Sequence, residues 1–133
     1  MLFQWHEDYE LGIKEIDEQH QILFQIGAEM VNLLMDEEEI DNIDKIEEAI
    51  KKLKNYAEYH FRYEEDLMLS KSYDQYKEHC MEHSYYLLRL DTVKLMEKWT
   101  TQRNTVDEIV AFLSQWILRH ILQKDSEYVT VLK

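Results

Sequence analysis

The chain has no proline and only two glycines among its 133 residues. Turn-rich β architectures need these residues for their many tight turns, so this scarcity excludes most all-β folds. The single cysteine, Cys80, excludes a disulfide within the chain and favours a reducing compartment. No apolar run approaches the roughly 20 residues of a membrane-spanning helix. The opening residues, MLFQWHEDYE, also lack the basic and apolar regions of a signal peptide. We therefore predict a cytoplasmic protein with no membrane partner.

Basic residues are scarce as well. Lysine and arginine number 15 against 28 aspartates and glutamates, and the formal net charge is −13. A surface of this sign repels phosphate backbones and anionic lipids, so we expect no nucleic acid partner. Repulsion between like-charged chains also favours a monomer.

What the chain has in abundance is apolar residues at helical spacing, in four segments separated by polar breaks. We predict a first helix from Asp17, as its N-cap, to Met35 and a second from Asn42 to Met68. A third follows a cap at Ser70 or Ser72, and a fourth contains Val106 to His120. The tail beyond it is predicted to form a short extra turn.

Four helices joined by short connections favour an all-α fold, an antiparallel up-down-up-down four-helix bundle with an N-terminal arm. We predict a single domain over residues 1–133. The arm covers about 1–15 and the bundle about 16–124, followed by a short carboxyl-terminal tail.

Histidines and carboxylates occupy helix positions that a core normally fills with leucine. His60 and Glu64, for example, lie one turn apart on the apolar stripe of the second helix. An unpaired buried polar group costs roughly 2–7 kcal/mol in transfer terms, so these groups need partners. In an antiparallel bundle, the starts of the first and third helices meet the ends of the second and fourth. Seven polar residues are therefore predicted to share one layer: His20, His60, Glu64, His79, His83, His120 and Asp125.

A bound cation would offset the burial of these groups, because metals take neutral imidazole and ionised carboxylate as ligands. Imidazole suits zinc, copper, iron and nickel, and seven ligands are too many for one tetrahedral zinc. The pattern therefore predicts two metal ions bridged by the carboxylates.

Four segments of the chain, QWHEDYELGIKEIDEQH, HFRYEE, HCMEH and WILRHILQKD, together resemble the hemerythrin family, and within it the single-domain bacteriohemerythrins. The resemblance covers essentially the whole chain. It implies two iron ions with an oxo or hydroxo bridge of solvent origin. In this assignment one iron is bound by His79, His83 and His120, the other by His20 and His60, and both by Glu64 and Asp125.

The function that the resemblance implies is reversible dioxygen binding, for storage, delivery, scavenging or sensing. Dioxygen would bind at an open position on the iron with two histidines, in a pocket lined by Phe61, Trp116 and Ile117. Carboxylate-rich di-iron oxidases use Glu-x-x-His motifs. A shell of five neutral imidazoles and two carboxylates should disfavour iron beyond the ferric state and so favours binding over oxidation.

Two other functions remain open from sequence. A di-iron redox enzyme, such as an oxidase, peroxidase or nitric oxide reductase, would use the same centre, although no acid or base beyond the ligands is visible on the inner stripes. A sensory or interaction module is the third, and an attached signalling, repair or ubiquitin-ligase domain would favour it; none is expected here.

Residues outside the stripes are given packing roles. Cys80 faces about 100° away from His79 on a helix and is predicted to pack rather than ligate. Trp5 is expected to pack on the bundle and His6 to be solvated. The tyrosines are assigned to helix surfaces and interhelical packing, with one of them able to hydrogen-bond a ligand: Tyr56, Tyr59, Tyr63, Tyr85 and Tyr86.

Overall fold

The computed structural model describes residues 2–35, 43–95 and 103–132, and most of them are helical. The α-helices are α1 (Lys14–Met35), α2 (Ile43–Ser70), α3 (Tyr76–Leu95), α4 (Arg103–His120) and α5 (Ser126–Leu132). A short 3-10 helix, Glu7–Tyr9, lies in the amino-terminal arm, and a π-helix, Ile121–Asp125, joins α4 to α5. Among the described residues, no helix combines the length and apolar character that crossing a membrane requires.

Neighbouring helices of the bundle run in opposite directions. Each of α1 to α3 packs against the next helix in the chain, and α1 also packs against α4. His20, near the start of α1, contacts His60 in the second half of α2, with ring centroids 4.6 Å apart. His79, near the start of α3, contacts His120 at the end of α4, also at 4.6 Å. Helix starts meet helix ends, so the predicted antiparallel four-helix bundle is confirmed.

The start of α1 differs from the prediction. The helix begins at Lys14, so Asp17 lies in its first turn rather than at its N-cap. The Asp17 carboxylate instead accepts hydrogen bonds from the backbone amides of Leu11 (2.7 Å) and Gly12 (3.0 Å). Gly12 has a φ of 96°, a left-handed conformation that glycine adopts without strain. Asp17 therefore ties the arm to α1.

The predicted caps of α3 were also wrong. Helix α2 continues through Ser70, whose hydroxyl donates to the carbonyl oxygen of Leu67 (2.7 Å). Ser72 has a φ of 55°, outside the helical region, and α3 begins only at Tyr76. Both serines therefore belong to the end of α2 and the turn after it. The acidic residues 36–42 and the first half of the break predicted near 101–104 lie outside the described residues, whereas residues 103–104 already belong to α4.

The tail is longer than the predicted extra turn. After α4 the chain continues helically through the π-helix into the seven residues of α5. The Ser126 amide donates to the carbonyl of Ile121, five residues back, which is the π-helical pattern. Tyr128 and Val129 of α5 are buried. The tail is thus part of the packed structure.

The amino-terminal arm closes one side of the bundle. The ring of Phe3 lies against Gly27 of α1, where an added Cβ would be 2.5 Å from its Cε1 atom. The Phe3 amide donates to the Ser114 hydroxyl of α4 (2.7 Å). Trp5 packs edge-on against Phe24, with centroids 5.5 Å apart, as expected of it. The arm is therefore anchored to both α1 and α4.

Candidate metal centre

The seven residues predicted as ligands all lie in one buried layer, and each exposes 3% of its surface or less. Their ligand atoms form two overlapping sets, each within 4.8 Å. The first set is Glu64, His79, His83, His120 and Asp125, and the second is His20, His60, Glu64 and Asp125. The two carboxylates belong to both sets, an arrangement suited to two metal ions. Cys80, half-buried on α3, belongs to neither set.

Asp125 lies between the two sets with one oxygen toward each. Its Oδ1 atom is 2.8 Å from His79 Nε2 and 3.1 Å from His120 Nε2. Its Oδ2 atom is 3.1 Å from His20 Nε2. A carboxylate held in this way can give one oxygen to each of two metals.

The π-helix gives Asp125 this position. Residues five apart on an α-helix point about 140° away from one another. In the π-helix the backbone hydrogen bonds close over five residues, so positions five apart share a face, as positions four apart do in an α-helix. His120 and Asp125 consequently face the same centre, although their spacing in an α-helix would separate them.

Glu64 also lies between the sets. Its Oε1 atom is 3.2 Å from His60 Nε2 and 3.4 Å from His83 Nε2. Its Oε2 atom is 3.5 Å from His20 Nε2 and accepts a hydrogen bond of 2.6 Å from the hydroxyl of Tyr128. The buried carboxylate therefore contacts histidines of both sets and a phenol.

Tyr128 was missed by the sequence reasoning, which considered five other tyrosines as hydrogen-bond donors. It is fully buried, and its ring also lies edge-on to His79, with centroids 5.3 Å apart. The available signal was its place three residues after Asp125, on the same face if the tail is helical. Treating the tail as a single turn hid that relation.

Several buried atoms of this layer lack hydrogen-bond partners. Each such atom costs about 1–3 kcal/mol if nothing satisfies it. Four of them are the lone-pair atoms that a metal would take, and a cation at each set would satisfy them: His20 Nε2, His60 Nε2, Glu64 Oε1 and Asp125 Oδ2. The nitrogen and oxygen donor set therefore fits metal ions.

Electrostatics keep the carboxylates ionised. Burial raises the pKa of Glu64, but its electrostatic interactions with the neighbouring His60, His20 and His83 outweigh this and hold it well below its ordinary value. Burial lowers the pKa of His20 and His120, yet Asp125 more than compensates and raises them to about 9 and about 10. For His60, burial dominates and lowers the pKa. Metal binding must therefore displace protons from His20 and His120.

An outer layer of polar side chains orients three of the imidazoles. An oxygen atom of each side chain accepts a hydrogen bond from the Nδ1–H of a histidine, which leaves that histidine's Nε2 free to face the centre. None of the three was identified from sequence, because each is adjacent to a predicted ligand and reads as an ordinary surface residue. The pairs are Gln19 with His60 (2.8 Å), Glu65 with His83 (2.7 Å) and Glu82 with His120 (3.0 Å).

The three predicted pocket residues lie beside the histidines. The Phe61 ring stacks on His83 at 3.9 Å and 5°, and it lies 5.9 Å from His60. Trp116 stacks on His120 at 4.9 Å and 8°. Ile117 is completely buried. Phe61 therefore reaches both sets, whereas Trp116 packs on the set with three histidines.

Sequence comparison relates the chain to known proteins. Residues 11–132 match the family model of the hemerythrin HHE cation binding domain. A bacteriohemerythrin of Clostridium acetobutylicum is 38% identical over 128 residues, which cover 96% of this chain and 99% of the relative. A bacteriohemerythrin of Pseudomonas paraeruginosa is 30% identical over 129 residues, 97% of this chain and 80% of the relative.

A myohemerythrin of Theromyzon tessulatum is 28% identical over 126 residues, which cover 95% of this chain and 90% of the relative. No solved structure matches the chain significantly. Because the family model covers nearly all of the sequence, the chain belongs to the hemerythrin family.

Proposed function

We propose that this protein binds dioxygen reversibly at a non-haem di-iron centre and is an oxygen-binding protein rather than an enzyme. The observation that carries the proposal is the pair of buried ligand sets that share Glu64 and Asp125. The names of the relatives, bacteriohemerythrin and myohemerythrin, support the same function. The physiological use would be storage, delivery, scavenging or sensing of dioxygen.

Each set of side chains would hold one iron. His79, His83 and His120 would bind one, His20 and His60 the other, and the two carboxylates both, with an oxo or hydroxo bridge from solvent. Bound iron would supply the open coordination position and the electrons that dioxygen accepts. The iron held by His20 and His60 would have fewer histidine ligands and would therefore be the one that keeps this position open.

The chain's own contribution is to exclude water and to keep the donors in place. Phe61 exposes 2% of its surface and Ile117 none, and the Trp116 ring covers His120. We place Phe61 and Ile117 at the dioxygen position, whereas Trp116 shields the set with three histidines. A dry apolar wall limits the access of water and protons to the ligand and so favours its release as dioxygen.

Optical spectroscopy of iron-loaded protein tests this function. Protein reduced anaerobically should be colourless and hold two irons per chain. Air should produce a visible ligand-to-iron(III) charge-transfer band, and removing dioxygen should abolish it. Without such a reversible band the proposal is wrong, and sustained turnover of peroxide, nitric oxide or ferrous iron would instead assign a redox enzyme.

A pair of histidine variants localises the effect. His20 is fully buried between Glu64 and Asp125, whereas His6 is exposed in the arm. His20→Ala should lose iron and the reversible band. His6→Ala should retain both. Equal behaviour of the two variants would place the iron elsewhere.

A further inference from the structure

The outer hydrogen bonds differ in charge between the two ligand sets. In the set with three histidines, His83 donates to the carboxylate of Glu65 (2.7 Å) and His120 to that of Glu82 (3.0 Å). In the other set, His60 lies 2.8 Å from the neutral amide of Gln19. Two carboxylates therefore accept hydrogen bonds from the imidazoles of one ligand set, and a neutral amide accepts one from an imidazole of the other.

This difference changes how strongly the imidazoles donate. A carboxylate that accepts a hydrogen bond from the Nδ1–H of an imidazole increases the electron density on the ring. The Nε2 atom becomes more basic, and its bond to a metal becomes stronger. An amide oxygen is a weaker acceptor and carries no net charge. The Glu65 and Glu82 side chains are 26% and 33% exposed, so their charges are partly shielded from water. Their effect on the nearby metal is therefore screened only in part.

We propose that Glu65 and Glu82 are positioning residues that rank the two metal positions, making the position with three histidines the tighter cation site and the more easily oxidised one. The inference rests on the proposed function, because it requires both sets to hold metal. It goes further, since it attributes the unequal affinity and redox behaviour of the two metal positions to residues that touch no metal themselves.

Titration of the metal-free protein with Co²⁺ tests the ranking without dioxygen chemistry. Wild-type protein should bind two ions in two steps of different affinity. Glu65→Gln and Glu82→Gln keep an oxygen acceptor but remove the charge. Each should weaken the tighter step about 10- to 100-fold, the range seen when outer partners of metal ligands are altered.

The reciprocal variant gives an effect of opposite sign. Gln19→Glu places a carboxylate behind His60 and should tighten the weaker step about tenfold. Glu78→Gln removes the same charge from an exposed position on α3 and should leave both steps unchanged. If the outer residues had a purely structural role, Gln19→Glu would not strengthen metal binding while Glu65→Gln and Glu82→Gln weaken it. Gln19→Glu also tests the ranking if Glu65→Gln or Glu82→Gln fails to fold.

Redox titration of iron-loaded protein is a second readout. Ferricyanide takes one electron from each iron(II), giving iron(III) and ferrocyanide. Glu65→Gln and Glu82→Gln should raise the first midpoint potential, because losing a nearby anion disfavours the ferric charge. Gln19→Glu should lower the second midpoint potential.

Two results have separate meanings. If wild-type protein binds two Co²⁺ ions and the outer variants behave like Glu78→Gln, the ranking is wrong while the di-metal centre stands. If wild-type protein binds no Co²⁺ and no iron, the proposed function is overturned and the ranking with it.

Discussion

The hydroxyl of Tyr128 supports a carboxylate that is completely buried. Glu64 accepts its hydrogen bond at 2.6 Å, and neither side chain is exposed to solvent. Hydrogen bonds to charged groups are worth about 1.5–3 kcal/mol, more than those between neutral groups. Tyr128 is thus expected to stabilise the fold as well as to hold Glu64 in place between the ligand sets.

Removing this hydroxyl gives a direct test. Tyr128→Phe should lower the free energy of unfolding of the metal-free protein by about 1.5–3 kcal/mol, measured by urea denaturation. Tyr59→Phe is the matched control, because Tyr59 is 58% exposed and should change stability very little. Equal effects of the two variants would show that the buried hydrogen bond contributes nothing.

Single residues of the site were predictable only where they broke a pattern. His60 and Glu64 were found because they replace apolar residues on a buried stripe. Gln19 and Glu82 interrupt no such stripe, and their contacts run to histidines on other helices. Helical spacing with antiparallel packing predicts which residues share a level of the bundle, but it does not predict which side chains of neighbouring helices form hydrogen bonds.

At the scale of elements, the amino-terminal arm depends on one close contact. Phe3 has a φ of 52° and lies where Gly27 leaves no side chain in the way. Its amide donates to Ser114 on the far side. A side chain at position 27 would compete for the space that the Phe3 ring occupies.

Gly27→Ala should therefore loosen the arm. Alanine favours a helix over glycine by about 1 kcal/mol, but overpacking costs about 1–3 kcal/mol. We expect faster amide exchange in residues 2–5 and a lower free energy of unfolding. In a Phe3→Ala background the clash disappears, so there the same substitution should be neutral or stabilising. Destabilisation in both backgrounds would contradict the packing argument.

Element boundaries were predicted less well than element identity. The four helices were evident from periodicity, but Asp17, Ser70 and Ser72 were all given capping roles that they do not have. Short polar side chains can bond several nearby backbone groups. Which group Asp17 binds depends on the turn at Gly12, and sequence does not specify that turn's geometry.

For the molecule as a whole, the buried charges link folding to pH. The pKa values of His20 and His120 are raised to about 9 and about 10 in the folded state without metal. An unfolded histidine has a pKa of about 6.5. A raised folded pKa contributes stability that is complete below the unfolded value and is lost as the pH rises through the folded value.

The metal-free protein should therefore lose stability as the pH rises from about 6.5 to about 10. The urea midpoint at pH 10 should fall well below that at pH 7. In protein loaded with Co²⁺ the drop should be smaller, because metal-bound imidazoles are already neutral. An equal drop in both forms would mean that these two histidines do not cause the loss of stability at alkaline pH.

The global arrangement was the most predictable level. Scarce glycine and proline with helical spacing led to a four-helix bundle, and antiparallel packing then brought the polar residues to one end. These patterns predict regular α-helices only, and no feature of the residues ILQKD indicates the π-helix that follows His120.

The π-helix makes the site depend on the number of residues in the chain as well as on their kinds. If this segment kept its five residues but became a regular α-helix, everything after it would turn by about 100°. Asp125 and Tyr128 would then leave the centre together, although neither had been substituted. Removing one exposed residue such as Gln123 would have the opposite meaning, because His120 and Asp125 would then lie four apart, on one face of a regular helix.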